Sequence, residues 1–191
     1  LITFTTGNWD TAQTVTVTGA DDNIIDGTIT STLTIAVLDE SSDDDFDSVN
    51  DQTVSVTTVD DDTAGFTITE SGGSTSVSES GTTDTFTIVL DAEPASDVVL
   101  TVTSGDTGEA TVSTGTITFT SANWDTAQTV TVTGVDDNII DGTITSTITV
   151  AVDDANSDNG FDSVNNQTVS ATTTDNDVAG FTIAESGGST S

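Results

Sequence analysis

The sequence has no lysine, arginine, histidine, cysteine, methionine or tyrosine, and its one proline is Pro94. Each absence removes something. Nucleic acid and anionic membrane surfaces are bound chiefly through Lys and Arg, so neither is an expected partner. Without cysteine there are no disulfides, and the redox compartment is left unmarked. No apolar run approaches the roughly 18 residues of a membrane helix, so direct membrane insertion is not expected. A serine here has none of the usual activating partners, since histidine and lysine are both missing. Trypsin has no site to cut.

Only carboxylate chemistry remains open. Asp106-Thr107-Gly108 matches the short aspartic-protease motif, but that mechanism needs two such carboxylates sharing a proton, and the motif occurs once. A glycosidase pair would use the same residue type. However, the phenylalanines alternate into the interior and leave no aromatic platform for a sugar. The expectation is that the chain is not an enzyme.

What is present is acid. Thirty-three Asp and Glu in 191 residues give a formal charge of −33. Two carboxylates about 4 Å apart repel by roughly 1 kcal/mol in water and about 4 kcal/mol at an effective dielectric near 20. Low hydrophobicity with high net charge also marks disordered chains. Against disorder stand 44 threonines alternating with valine and isoleucine. Such a chain is built to fold, and it needs cations from outside to do so.

The sequence repeats itself at an offset of 115 residues. Residues 1–76 align with 116–191 without a gap, and 59 of the 76 pairs are identical, about 78 %. A period of this length suits a whole domain repeated in tandem rather than a solenoid coil. The cuts fall after the acidic linkers DDD (60–62) and DND (175–177). Residues 63–177 then form one complete repeat, 1–62 the later part of a preceding one, and 178–191 the start of a following one. Neighbouring repeats of the same chain are the first expected partners, and self-assembly into fibres the second.

Period-2 alternation runs through the repeat and predicts strands. Phe86, Ile88 and Leu90 share a face, as do Val98, Leu100 and Val102; Ile117 and Phe119; Val130 and Val132; and Ile144, Ile148, Val150 and Val152. Further strands read at 65–70, 75–79, 109–112 and 167–174, and Asn159-Gly160 is a hairpin signal. About eight short strands with one apolar face predict an all-β fold, an antiparallel β-sandwich. Trp124 reads as a plug at the end of its core.

Clustered Asp, Glu and Asn without His or Cys is the ligand set of a hard cation, Ca²⁺ before Mg²⁺. The segment from Asp154 falls short of an EF-hand loop, with Asn159 at the glycine position and Asn165 at the glutamate position. Four motifs in order, VSESG (77–81), the acidic turn near 106, GVDDNIID (134–141) and TDNDVAG (174–180), resemble the Calx-β repeat of sodium–calcium exchangers and many giant bacterial surface proteins. The resemblance covers the whole 115-residue unit and implies an immunoglobulin-like sandwich with calcium at one end. Carried onto this sequence, the implied ligands are Glu79, Asp106, Asp136, Asp137, Asp141, Asp175 and Asp177. The preceding copy supplies Asp21, Asp22, Asp26, Asp60 and Asp62. Asn138 and Asn176 stand where some members carry acids, which implies weaker binding.

Extracellular calcium modules bind at about 10⁻⁴ to 10⁻³ M, so the expected setting is extracellular, at a cell surface. The expected function is that of a calcium-stiffened structural or adhesive repeat in a long surface protein or filament. The alternatives are a calcium-sensing regulatory module and a carbohydrate- or cell-binding domain.

Overall fold

A computed structural model describes residues 1–184, 186 and 187. They form two compact bodies, one of Leu1–Asn23 with Gly27–Asp60, the other of Ile24–Asp26 with the residues from Asp61 onward. Part of the predicted following repeat, residues 185 and 188–191, lies outside the described residues. Among those described, no helix is long and apolar enough to cross a membrane.

The smaller body holds one antiparallel pair, β1 (Ile29–Ile35) and β2 (Gln52–Thr58), in register from Ile29↔Thr58 to Ile35↔Gln52. Alternation creates an apolar face here, with Leu33, Ile35 and Val54 along it, but these side chains remain exposed. A face is buried only when a second sheet covers it, and among the described residues of this body none does.

The larger body has that second sheet. Its strands are β3 (Phe66–Glu70), β4 (Thr75–Ser78), β5 (Thr83–Leu90), β6 (Val98–Ser104), β7 (Ala110–Val112), β8 (Thr116–Phe119), β9 (Gln128–Gly134), β10 (Ile144–Val152) and β11 (Gln167–Thr174). One sheet runs β4-β11-β10-β6-β8 and the other β3-β5-β9-β7. Phe86, Ile88, Leu90, Val130 and Val132 from the second sheet meet Val98, Leu100, Val102, Ile148 and Val150 from the first in one core. Burying each such side chain is worth about 1.5–3 kcal/mol, which is what holds the two layers together. Trp124 is half-buried against that core, as a plug would be.

The fold is the all-β sandwich that the alternation predicts, with two departures. One strand pair is parallel: β4 lies beside β11 from Ala171↔Thr75 to Thr174↔Ser78. Asn159-Gly160 makes no hairpin either. It opens a 3-10 turn, Asn159–Phe161, in which Asp158 accepts the Gly160 N–H at 2.8 Å. The turn exists to deliver Phe161, 1 % exposed, into the core. Ile144 and Val152, at the ends of β10, are only half-buried, while Ser146 between them in register is buried.

Candidate metal centre

One end of the larger body collects the acids. Glu79 follows the last residue of β4, Asp175–Asp177 follow β11, Glu109 immediately precedes β7, and Asp136–Asp141 lie on the connection from β9 to β10. The parallel pairing puts the ends of β4 and β11 together, with Glu79 N donating to Thr174 O at 3.1 Å. The Ala110↔Gly134 pairing brings the start of β7 to the end of β9. Gly142 then closes the β9–β10 connection with a φ of 80°, a conformation that glycine adopts without steric cost. Its N–H donates to Asp175 Oδ2 at 2.8 Å.

Two groups of three carboxylates result. Glu79, Asp141 and Asp175 offer oxygens within 4.8 Å of one another, and so do Glu109, Asp137 and Asp141. Asp141 belongs to both. Glu79 is 1 % exposed and Glu109 8 %. Glu79 Oε2 accepts the Asn176 N–H at 3.0 Å. Asp136 Oδ1 accepts from Asn176 Nδ2 at 3.1 Å, and Asp137 Oδ1 from Ile139 N at 2.6 Å. The Oδ2 atom of Asp177 is buried and has no hydrogen-bond donor. Thr173 Oγ1 and the Val135 N–H both donate to the backbone oxygen of Glu109, at 3.2 and 2.8 Å, and so fix its position.

The crowding shows in the acidities. Burial pushes Glu109 above its ordinary range, and the charges of Asp141, Asp106, Asp137 and Glu79 add to it. The Asn176 N–H pulls Glu79 down, but burial and the charges of Asp175, Asp137 and Asp141 outweigh it, so Glu79 is raised. Asp177 is raised by burial and then by Asp175, Asp136, Asp137 and Asp141. Asp175 moves the other way, because the N–H groups of Asp177 and Gly142 stabilise its charge.

Of the predicted ligands, the structure brings Glu79, Asp137, Asp141 and Asp175 into these groups. Asp136 and Asp177 border them. Asp106 stays exposed in the turn before Glu109, its Oδ1 accepting the Gly108 N–H at 3.0 Å. Asp21, Asp22, Asp26, Asp60 and Asp62 enter no such group among the described residues. Asp60 does repeat one bond of the second copy, accepting the Gly27 N–H at 2.7 Å. Glu109 was not among the predicted ligands, since it follows a polar turn. The available signal was its position directly before the alternating Ala110-Thr111-Val112.

The donor set is all oxygen, its separations lie within the span of one calcium coordination sphere, and beside it Asp177 Oδ2 is buried without a donor. A hard cation fits such a set.

No family model matches the chain, and no curated protein matches it. Solved structures do resemble it. The apo form of the Calx CBD1 domain is 12 % identical with a TM-score of 0.42, covering 59 % of this chain and 98 % of that one. Domains 1–6 of the surface layer protein SbsC are 22 % identical with a TM-score of 0.39, covering 64 % and 15 %. SSP-19, an MSP-domain protein of Caenorhabditis elegans, is 16 % identical with a TM-score of 0.35, covering 53 % and 92 %.

Proposed function

We propose that this protein is a structural repeat module of a long extracellular surface protein or filament, stiffened by calcium rather than active in catalysis. The supporting observation is the convergence of Glu79, Glu109, Asp137, Asp141 and Asp175 at one end of a sandwich in a chain without a single basic side chain. Bound there, calcium would supply positive charge. Glu79, Asp141 and Asp175 would hold one ion, and Glu109, Asp137 and Asp141 a second, with Asp141 shared. The chain's own contribution is to hold those carboxylates on strand ends and on a loop tied down by the Gly142–Asp175 and Asn176–Glu79 hydrogen bonds. Two nearly identical copies in one chain favour a spacer over differently specialised binding domains.

The test is thermal unfolding of the full chain by circular dichroism, in millimolar calcium and in chelator. At a free concentration 100 times the dissociation constant, one site stabilises the fold by about 2.7 kcal/mol. The melting temperature should rise with calcium, and much less with magnesium, which demands a tighter octahedron and gives up its water reluctantly. Identical curves in calcium and chelator would reduce the acidic end to a solubilising surface.

A further inference from the structure

The loop GxDDNIIDG occurs twice, at 19–27 and 134–142, with an identical core. Its two isoleucine pairs have different surroundings. Ile24 makes a parallel β-bridge with Glu93, and Ile25 packs against the core of the larger body. A Cβ built on Gly160 would stand 3.9 Å from Ile25 Cγ2. Ile139 and Ile140 are instead 61 % and 57 % exposed.

The loop's internal bonds do not explain why isoleucine stands there. Asp137 accepts the Ile139 N–H and Asp175 the Gly142 N–H, and these are backbone donors that almost any residue would offer. Two large apolar side chains side by side are therefore a requirement of something outside the loop. The first copy shows what it is, since the same pair there has a seat made by Glu93 and the Gly160 turn. A repeat without a cationic side chain cannot recognise its own kind through ion pairs. A backbone bridge with apolar contact is the means left to it.

We propose that Ile139–Ile140 is a docking plug for a further copy of this repeat, seated on that copy's Glu93–Gly160 face as Ile24–Ile25 is seated on this one. The plug stands at both positions, whereas the Glu93–Gly160 seat occurs once and is filled by Ile24–Ile25, with Asp45 at the place of Gly160 in the first copy. Ile139–Ile140 therefore needs a copy whose seat is open, and a plug on one copy in a seat on another is a heterologous contact. It rests on the two environments of one loop and uses no bound ion, although Asp137 and Asp141, assigned above to calcium, flank the pair.

The chain has no cysteine, so a disulfide can form only between introduced thiols, and bridge partners lie within its reach. The full-length I24C/E93C variant should close an internal disulfide, which calibrates the seat. A full-length I139C chain is then mixed at high concentration with a full-length I24D/I25D/E93C chain, whose seat is vacated. The I24A/I25A/E93C chain serves as a gentler version should the aspartates unfold it. The mixed disulfide should form about tenfold faster than with S121C, an exposed control, because docking raises the effective concentration of the thiols. Equal rates for I139C and S121C would overturn the proposal, and failure of I24C/E93C to close would overturn the seat itself. The mixture is run in calcium and in chelator, and I139C should outpace S121C by the same factor in both; a preference seen only in calcium would assign the contact to the ion-bound loop and overturn the plug.

Discussion

Gly134 ends β9 where the backbone of β4 passes closest. A methyl group there would stand 2.1 Å from Ser78 O, 2.7 Å from Ser78 C and 3.1 Å from Ser78 N. Ordinary contact begins at 3.4 Å, so one strand has to move by more than an ångström. The backbone at Gly134 is not in the left-handed region, which leaves crowding as the whole cost. Overpacking costs about 1–3 kcal/mol, and backbone against backbone has no rotamer to absorb it, so G134A belongs at the upper end. In a body of this size about 3 kcal/mol lowers the melting temperature by roughly 10 °C. Ser78 leads into Glu79, so the displaced strand also carries a buried carboxylate out of place, and the calcium-induced rise should shrink as well. The chain contains its own control. Gly19, the counterpart in the first copy, would put a methyl 3.6 Å from Thr58 Cγ2, an ordinary contact. G19A should leave the transition within about 2 °C of the parent, as surface changes generally do. Melting curves of both variants in calcium and in chelator decide the matter. Equal losses in the two variants, or no loss in G134A, would refute the reasoning.

Phe161 and Phe46 form a second internal pair, 1 % and 56 % exposed. F161A should cost about 3–5 kcal/mol in urea unfolding, and F46A under about 1 kcal/mol; similar costs would mean that the smaller body buries Phe46 in solution. In chelator, the melting temperature should rise as the pH falls from 7 to about 5. The sign follows from Glu79, Glu109 and Asp177, whose raised pKa values make the folded state take up protons before the unfolded one. Stability from these groups is present at low pH and lost as the pH climbs through their raised values. Asp84, Asp158 and Asp175 are lowered, so their contribution disappears only at pH values below the ordinary carboxylate range. E109Q should therefore melt higher than the parent in chelator at pH 7, yet gain less from calcium, since a metal site needs its carboxylates ionised. A chelator curve that is flat from pH 7 to about 5, or an E109Q variant that melts below its parent there, would contradict the assignment.

The apolar layer was legible because alternation is a two-state code. Phe86, Ile88 and Leu90 can share a face only if Thr87 and Val89 point the other way, and the core follows. The parallel neighbour was not legible, because nothing in TSVS or QTVSATTT says which strand lies alongside. Threonine misleads for a related reason: it fits a solvent face and a buried one. Thr75 and Thr173 are both buried, the first donating to Glu70 Oε2 and the second to Glu109 O. At the acidic end, motif order located Glu79, Asp137, Asp141 and Asp175. It missed Glu109, because a carboxylate beside a polar turn reads as surface until β7 is seen to pair with β9. Nor does sequence tell the two copies apart. Phe46 and Phe161 sit in almost the same words, and only the presence of a covering sheet makes one of them core.

The parallel pair of β4 and β11 bears on how a repeat answers mechanical load. β4 lies near the beginning of the repeat and β11 at its end, side by side and pointing the same way. Tension applied through the two ends of the repeat peels the edge strand β3 first. It then draws β4 and β11 in opposite directions along a common axis. Their ladder, together with the bond from Glu79 N to Thr174 O, is loaded in shear, so its hydrogen bonds share the force and fail together. An antiparallel hairpin held by its open ends would unzip bond by bond. The clamp sits directly against the carboxylate end, so a cation bound there would tighten the part of the sandwich that such tension strains last.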